Sequence, residues 1–121
     1  MLKTYREWEI FWQTRRKVRG RVKVGNNTYL ERTSLFSFTI VFHKTPIIEV
    51  LNDGSYVLRV GGHRTRSTKE RLNSFSPAKV VQDKGKWFVI PFGRERVSFY
   101  DGIRVDGAGI PIELLKKGEK K

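Results

Sequence analysis

Residues 61–73 read Gly-Gly-His-Arg-Thr-Arg-Ser-Thr-Lys-Glu-Arg-Leu-Asn, an order of side chains suited to holding an anion. Gly61 and Gly62 let the backbone turn tightly and come close to a ligand, while Arg64, Arg66, Lys69 and Arg71 supply charge. His63 and Thr65 add hydrogen-bonding groups. Beyond them Ser67 looks like the start of a helix, whose unpaired N–H groups favour phosphate oxygens. A second basic run, Arg15, Arg16, Lys17, Arg19, Arg21 and Lys23, lies upstream. Spaced cations of this kind suit the backbone of DNA or RNA, and a single strand would also stack its bases on exposed rings. Most of the three Trp, four Tyr and eight Phe alternate as core residues do. His63 and Tyr100, beside turns, are the better stacking candidates.

The glycine pair has a structural explanation as well, as a bulge where a strand leaves its sheet. It lacks the spacing of a P-loop or a dinucleotide fingerprint. No helix-turn-helix, zinc-finger or ribonucleoprotein pattern is present, so contact with shape or backbone is expected rather than base reading.

A second chemistry is hydrolytic. His43 and His63, with Lys69 beside them, are residue types that metal-independent ribonucleases use: imidazoles to take and give a proton, and a cation to stabilise the charged transition state. Spacing alone does not bring the two rings together, and a histidine at a strand end is often simply structural. Metal binding is not expected. Cysteine is absent, and Glu31, Glu49, Asp53, Asp83, Asp101 and Asp106 show no ligand spacing. No cofactor is implied.

These side chains sit in a chain of 121 residues with 25 Lys and Arg against 12 Asp and Glu, a formal charge of +13. A polyanionic partner would relieve such self-repulsion. With 38% hydrophobic residues the chain can bury a core, so one domain over residues 1–115 is expected. The basic stretch 116–121 has nothing apolar to bury and is expected to be a disordered tail. Neither a signal-peptide pattern nor a run of 18 apolar residues is seen, so a cytoplasmic protein without a membrane partner is expected. The oligomeric state is left open.

The elements that must position these groups follow from periodicity. Leu2 to about Arg19 has helical spacing, and Thr4 with Glu7 fits a capping box. Glu7 and Glu9 interrupt its polar face, which favours packing on the core over lying on a membrane. Short strands follow: Tyr29–Thr33, Ser37–Phe42, and Ile47–Leu51 joined through Asp53-Gly54 to Tyr56–Val60. Ser67 as N-cap with Glu70 predicts a helix over 67–75, ending before Pro77. Lys79–Gln82 and Trp87–Pro91 flank Asp83-Lys84-Gly85 as a second hairpin. Val97–Tyr100 and Ile103–Val105 flank Asp101-Gly102 as a third. The class is α+β: an antiparallel sheet or small barrel of six or seven hairpin-built strands, an N-terminal helix and one short helix.

Residues 26–105 carry a further pattern: Asn27-Thr28-Tyr29-Leu30, His43, Thr45 and Ile48, Asp53-Gly54, Gly61-Gly62 with Arg64-Thr65, Thr68-Lys69-Glu70-Arg71-Leu72-Asn73, Trp87 and Phe99-Tyr100-Asp101-Gly102. In this the chain resembles a family of small bacteriophage and mobile-element proteins. It departs from the family's pattern at His63, where tryptophan is expected, and at Ser67, where threonine is more usual. The resemblance implies a viral or mobile-element origin and brings no activity with it. A viral structural or host-interaction role is therefore a third reading. It would show as exposed apolar residues facing a protein partner.

Overall fold

The computed structural model describes residues 2–119, with side chains through Leu115. The first helix, α1, spans Tyr5–Thr14 behind a complete capping box: the Glu7 N–H donates to the Thr4 hydroxyl and the Glu7 carboxylate accepts the Thr4 N–H. Its apolar face turns Trp8 fully inward, and Tyr5 and Trp12 pack on Phe38 with ring centres 5.5 and 5.8 Å apart. The helix stops five residues short of the expected Arg19. Arg15 is already extended, and Val18 pairs with Arg21 across Arg19-Gly20, both in the left-handed region at φ 55° and 76°. A two-residue turn of this hand feeds a strand. The basic run is thus a hairpin at the sheet edge and not a helix end.

That strand is β1 (Arg21–Gly25). β2 (Thr28–Ser34), β3 (Ser37–Phe42), β4 (Thr45–Leu51) and β5 (Tyr56–Leu58) follow as a meander. With β9 (Ile103–Val105) they form one antiparallel sheet in the order β1-β2-β3-β4-β5-β9. Register is set by burial: Val22, Leu30, Ile40, Ile48, Leu58 and Ile103 are successive cross-strand partners over all six strands, each 5% exposed or less. A one-residue slip in any strand would turn its member of that row to solvent. Each such side chain contributes about 1.5–3 kcal/mol by burial, so the alternation is strongly enforced.

The second sheet is β6 (Val80–Asp83), β7 (Lys86–Val89) and β8 (Val97–Ser98). Val80, Trp87, Val89 and Phe99 join the same buried cluster as the large sheet and α1. Nine antiparallel strands replace the six or seven expected, and they form two open sheets rather than a barrel. The hairpins at Asp53-Gly54 and Asp83-Lys84-Gly85 are present. The one expected at Asp101-Gly102 is not: β8 pairs with β7 and β9 with β5, so this turn carries the chain from one sheet to the other.

Between β5 and β6 lies α2 (Arg66–Phe75), which starts earlier than expected because Thr65, not Ser67, is its N-cap and accepts the Thr68 N–H. Glu70 pairs with Arg66 instead of completing a capping box. Leu72 and Phe75 anchor the helix to the core, with Phe75 stacked 6.4 Å from Trp8. The last helix, α3 (Ile112–Glu119), extends into the stretch expected to be a basic tail. The side chains of 116–121 lie outside the described residues, and so does that expectation.

Candidate functional site

At one end of the large sheet the chain passes from β5 into α2 through the turn Val60-Gly61-Gly62-His63, closed by the His63 N–H on the Val60 carbonyl at 2.9 Å. Both glycines have positive φ, 58° and 82°. Gly61 is required twice over, since a Cβ there would stand 2.8 Å from the Thr45 methyl. This turn does hold an anion, and the anion is its own. The Asp101 carboxylate accepts the Val60 N–H at 2.9 Å and the Gly61 N–H at 3.1 Å. Asp101 reads in the sequence as a turn residue; its partners lie some forty residues away.

The cations after the glycines are largely committed within the protein. Arg64 lies 5.8 Å from the Trp87 ring and 5.7 Å from the Phe99 ring and reaches the Phe99 carbonyl at 3.5 Å. Arg66 bonds Glu70 at 3.1 Å. Arg71 stacks 3.9 Å over Phe42 and donates to the Asn26 carbonyl, the Thr28 hydroxyl and the Ser67 carbonyl. Lys69 alone of the four has neither an acidic nor an aromatic partner among the described residues. Tyr100, a stacking candidate, is 47% exposed but donates its hydroxyl to Glu113 at 3.0 Å. Burial and that carboxylate push its phenol above the usual value.

The upstream run behaves differently. Arg15, Arg16, Arg19, Arg21 and Lys23 line one groove of about 570 Å³ with Tyr29 beside them. Arg21 lies over the Tyr29 ring at 4.0 Å and is 3.8 Å from Glu31. Arg15 rests on Phe11 at 4.4 Å. Among the described residues Arg15, Arg16, Arg19 and Lys23 have no acidic partner. Lys17, the sixth of the run, lies outside the groove lining, over the Trp12 ring with its ammonium donating to the Trp12 carbonyl. The groove shares no lining residue with the cavity beside the glycine turn.

The histidines do come together. His43, at the β3–β4 turn with φ 56°, and His63, after the glycine turn, line one cavity of about 460 Å³. Phe42 and Val60 also line it, and Thr45, Thr65, Ser67 and Thr68 supply hydroxyls. Lys69, expected as the cation that stabilises the transition state beside the two imidazoles, is not among the residues that line it. Apolar side chains are exposed elsewhere: Leu35 and Phe36 at 75% and 62% on the β2–β3 turn, and Phe92 at 93% after β7. Nothing in the sequence pattern singled these three out. No helix among the described residues is long and apolar enough to cross a membrane, and no group of three or more His, Asp or Glu forms there.

The family model for the Kyanoviridae Gp96 protein matches residues 8–106. The chain belongs to this phage protein family. The matched span runs from Trp8 in α1 to just beyond β9, so it covers the residues of all nine described strands and those that line the basic groove and the histidine cavity in this chain. The likeness to phage proteins read from residues 26–105 holds at the level of family. No curated protein and no solved structure matches the chain.

Proposed function

We propose that this phage protein binds nucleic acid, DNA or RNA, through the groove formed by Arg15, Arg16, Arg19, Arg21 and Lys23, contacting phosphates without strong sequence preference. The observation that carries this reading is the gathering in one concavity of four cations that have no acidic partner among the described residues, with Arg19 held in left-handed backbone. An arginine there costs about 1–2 kcal/mol relative to ordinary backbone, where asparagine or glycine would sit more easily. A strained cation at an exposed turn tip is costly to keep unless its charge has a use. The glycine turn carries none of this reading, because Asp101 already takes its N–H groups.

The test is the salt dependence of binding to labelled DNA and RNA oligonucleotides. Four neutralised phosphates give a slope of roughly −2.8 for single strands and −3.6 for duplex, hence about 50-fold to 150-fold weaker binding between about 50 and about 200 mM salt. Absence of binding at low salt removes the proposal.

One observation favours a second reading, metal-independent cleavage of RNA: His43 and His63 face a common cavity. In such a step one imidazole takes the proton of the ribose 2′-hydroxyl as it attacks phosphorus, and the other protonates the departing 5′-oxygen. Labelled RNA incubated without metal would be cut by the protein and spared by the His63→Ala variant. Intact RNA after prolonged incubation ends this reading.

A further inference from the structure

The polar groups of the histidine cavity divide into two sets. Thr65 and Thr68 are structural: their hydroxyls bond each other at 3.0 Å, and Thr65 caps α2. His43, His63 and Ser67 are not. Their backbones are tied, His43 through its N–H to the Asn27 carbonyl, His63 to Val60 and Ser67 through its carbonyl to Arg71. Their side chains have no hydrogen-bond partner among the described residues, although all three line the cavity. With the Thr45 hydroxyl, likewise without a hydrogen-bond partner among the described residues, four uncommitted polar side chains meet on one concave surface, as the convergent groups of a ligand site do.

What such a ligand must be follows from the remaining walls. Phe42 and Val60 are 8% and 1% exposed, and the Phe42 and His43 rings lie 4.3 Å apart, so the wall is apolar and aromatic. Arg71 and His43 already lie against the Phe42 ring, so a planar ring would meet Phe42 and Val60 only at their exposed edges and would stack on the exposed imidazoles of His43 and His63, which an inorganic ion alone would leave uncovered. Arg71 lies 3.9 Å from the centre of the same Phe42 ring. Its donors go to neutral oxygens, and it has no carboxylate partner among the described residues. Arg71 lies outside the cavity lining, and the donors offered to phosphate oxygens there are the imidazoles and the serine hydroxyl. The volume of about 460 Å³ lies within the range of small-molecule sites.

We propose that this cavity takes a nucleoside phosphate, with its heterocycle against the imidazoles and the exposed edges of Phe42 and Val60 and its phosphate at His43, His63 and Ser67. The ligand is either a free nucleotide or the phosphorylated end of a strand. The site is separate from the Arg15–Lys23 groove and does not depend on that groove binding nucleic acid.

The experiment is titration with adenosine 5′-monophosphate, adenosine and inorganic phosphate, followed by the imidazole proton resonances of the protein. The nucleotide should shift both histidines together and bind at least tenfold more tightly than adenosine or phosphate alone. His63→Ala and His43→Asn should each weaken it at least tenfold; asparagine is chosen because it tolerates left-handed backbone. Unchanged thermal melting shows that these variants still fold. Arg16→Gln with Arg19→Asn should leave nucleotide binding intact, even if binding of long strands is lost. A 5′-phosphorylated trinucleotide that competes with the mononucleotide identifies a strand end, and one that does not identifies a free nucleotide. No shift at either histidine, or equal binding by both histidine variants, overturns the proposal. So does loss of nucleotide binding in the groove variant alone.

Discussion

Replacing Arg19 by asparagine should move stability and binding in opposite directions. Arg19 has φ 55° and precedes Gly20 at φ 76°, in a turn where Val18 and Arg21 exchange backbone hydrogen bonds of 2.9 and 3.2 Å. Asn-Gly is the favoured pair for such a turn, and relief of the left-handed penalty should yield about 0.5–1 kcal/mol. The Arg19 side chain is exposed and has no partner among the described residues, so little is lost on the folded side. For a chain of this size that gain is a rise in melting temperature of roughly 2–5 °C. Binding should weaken at the same time, because one fewer phosphate is neutralised. Between about 50 and about 200 mM salt the wild type should lose about 150-fold in duplex affinity and the variant about 40-fold. Differential scanning calorimetry and fluorescence anisotropy read the two effects. Arg19→Ala serves as the control: it removes the charge but keeps the backbone penalty, so it should share the smaller slope without the gain in melting temperature. A lower melting temperature for Arg19→Asn would show that the arginine holds the turn together. An unchanged slope would show that phosphates do not reach it.

At the glycine turn, Gly61→Ala should cost about 2–3 kcal/mol in urea unfolding and Gly62→Ala only about 1, because both suffer positive φ but only the first meets the Thr45 methyl at 2.8 Å. Thr45→Ser deletes that methyl and should recover part of the Gly61→Ala loss; equal losses at the two glycines would contradict the steric account. On the acid side, the Ser55 hydroxyl, then the Ser55 N–H and Arg104, hold the Asp53 carboxyl below its ordinary value of 3.8 against the opposing effect of burial. The Thr4 N–H and hydroxyl do the same for Glu7, below 4.5. A carboxyl lowered on folding stabilises fully above its unfolded value and loses that contribution as pH falls through the folded one. Asp53→Asn should therefore flatten the decline in stability between about pH 5 and about pH 2.5, as read from urea midpoints. A decline as steep as that of the wild type would show that other carboxyls dominate it.

Much of the fold could be read from short-range patterns, because the forces behind them act within a few residues. The Thr4–Glu7 capping box and the hairpins at Asp53-Gly54 and Asp83-Lys84-Gly85 depend on side chains three or four positions apart and on local backbone sign. The alternation of Phe38, Ile40 and Phe42 states which side of β3 faces inward without naming what covers it. Local signals misled where two were available or where the partner was remote. Thr65 and Ser67 are both acceptable N-caps, and Leu72 and Phe75 reach the core from a helix begun at either. The Arg19-Gly20 turn was visible only as a glycine within a basic run, where helical spacing gives way to the alternation of Val18, Val22 and Val24. Asp101-Gly102 has the chemistry of a hairpin turn, yet β8 pairs with β7 and β9 with β5, partners that lie outside the turn's own neighbourhood in the chain.

For the sites the division is sharper. Charge, residue type and the glycine pair belong to the sequence itself: a net +13, two arginine-rich stretches and two histidines are present in any conformation. Which cations stay unpaired, and which groups share a concave surface, was decided by packing. Folding laid Asp101 into the glycine turn, set Arg71 on Phe42, left Arg15, Arg16, Arg19 and Lys23 without an acidic partner among the described residues, and brought His43 and His63 to one cavity from the start of β4 and the end of β5, which antiparallel pairing sets side by side. These outcomes depend on distances between residues far apart in the chain, and such distances are set by the burial of Val22, Leu30, Ile40, Ile48, Leu58 and Ile103 as a single row across the sheet.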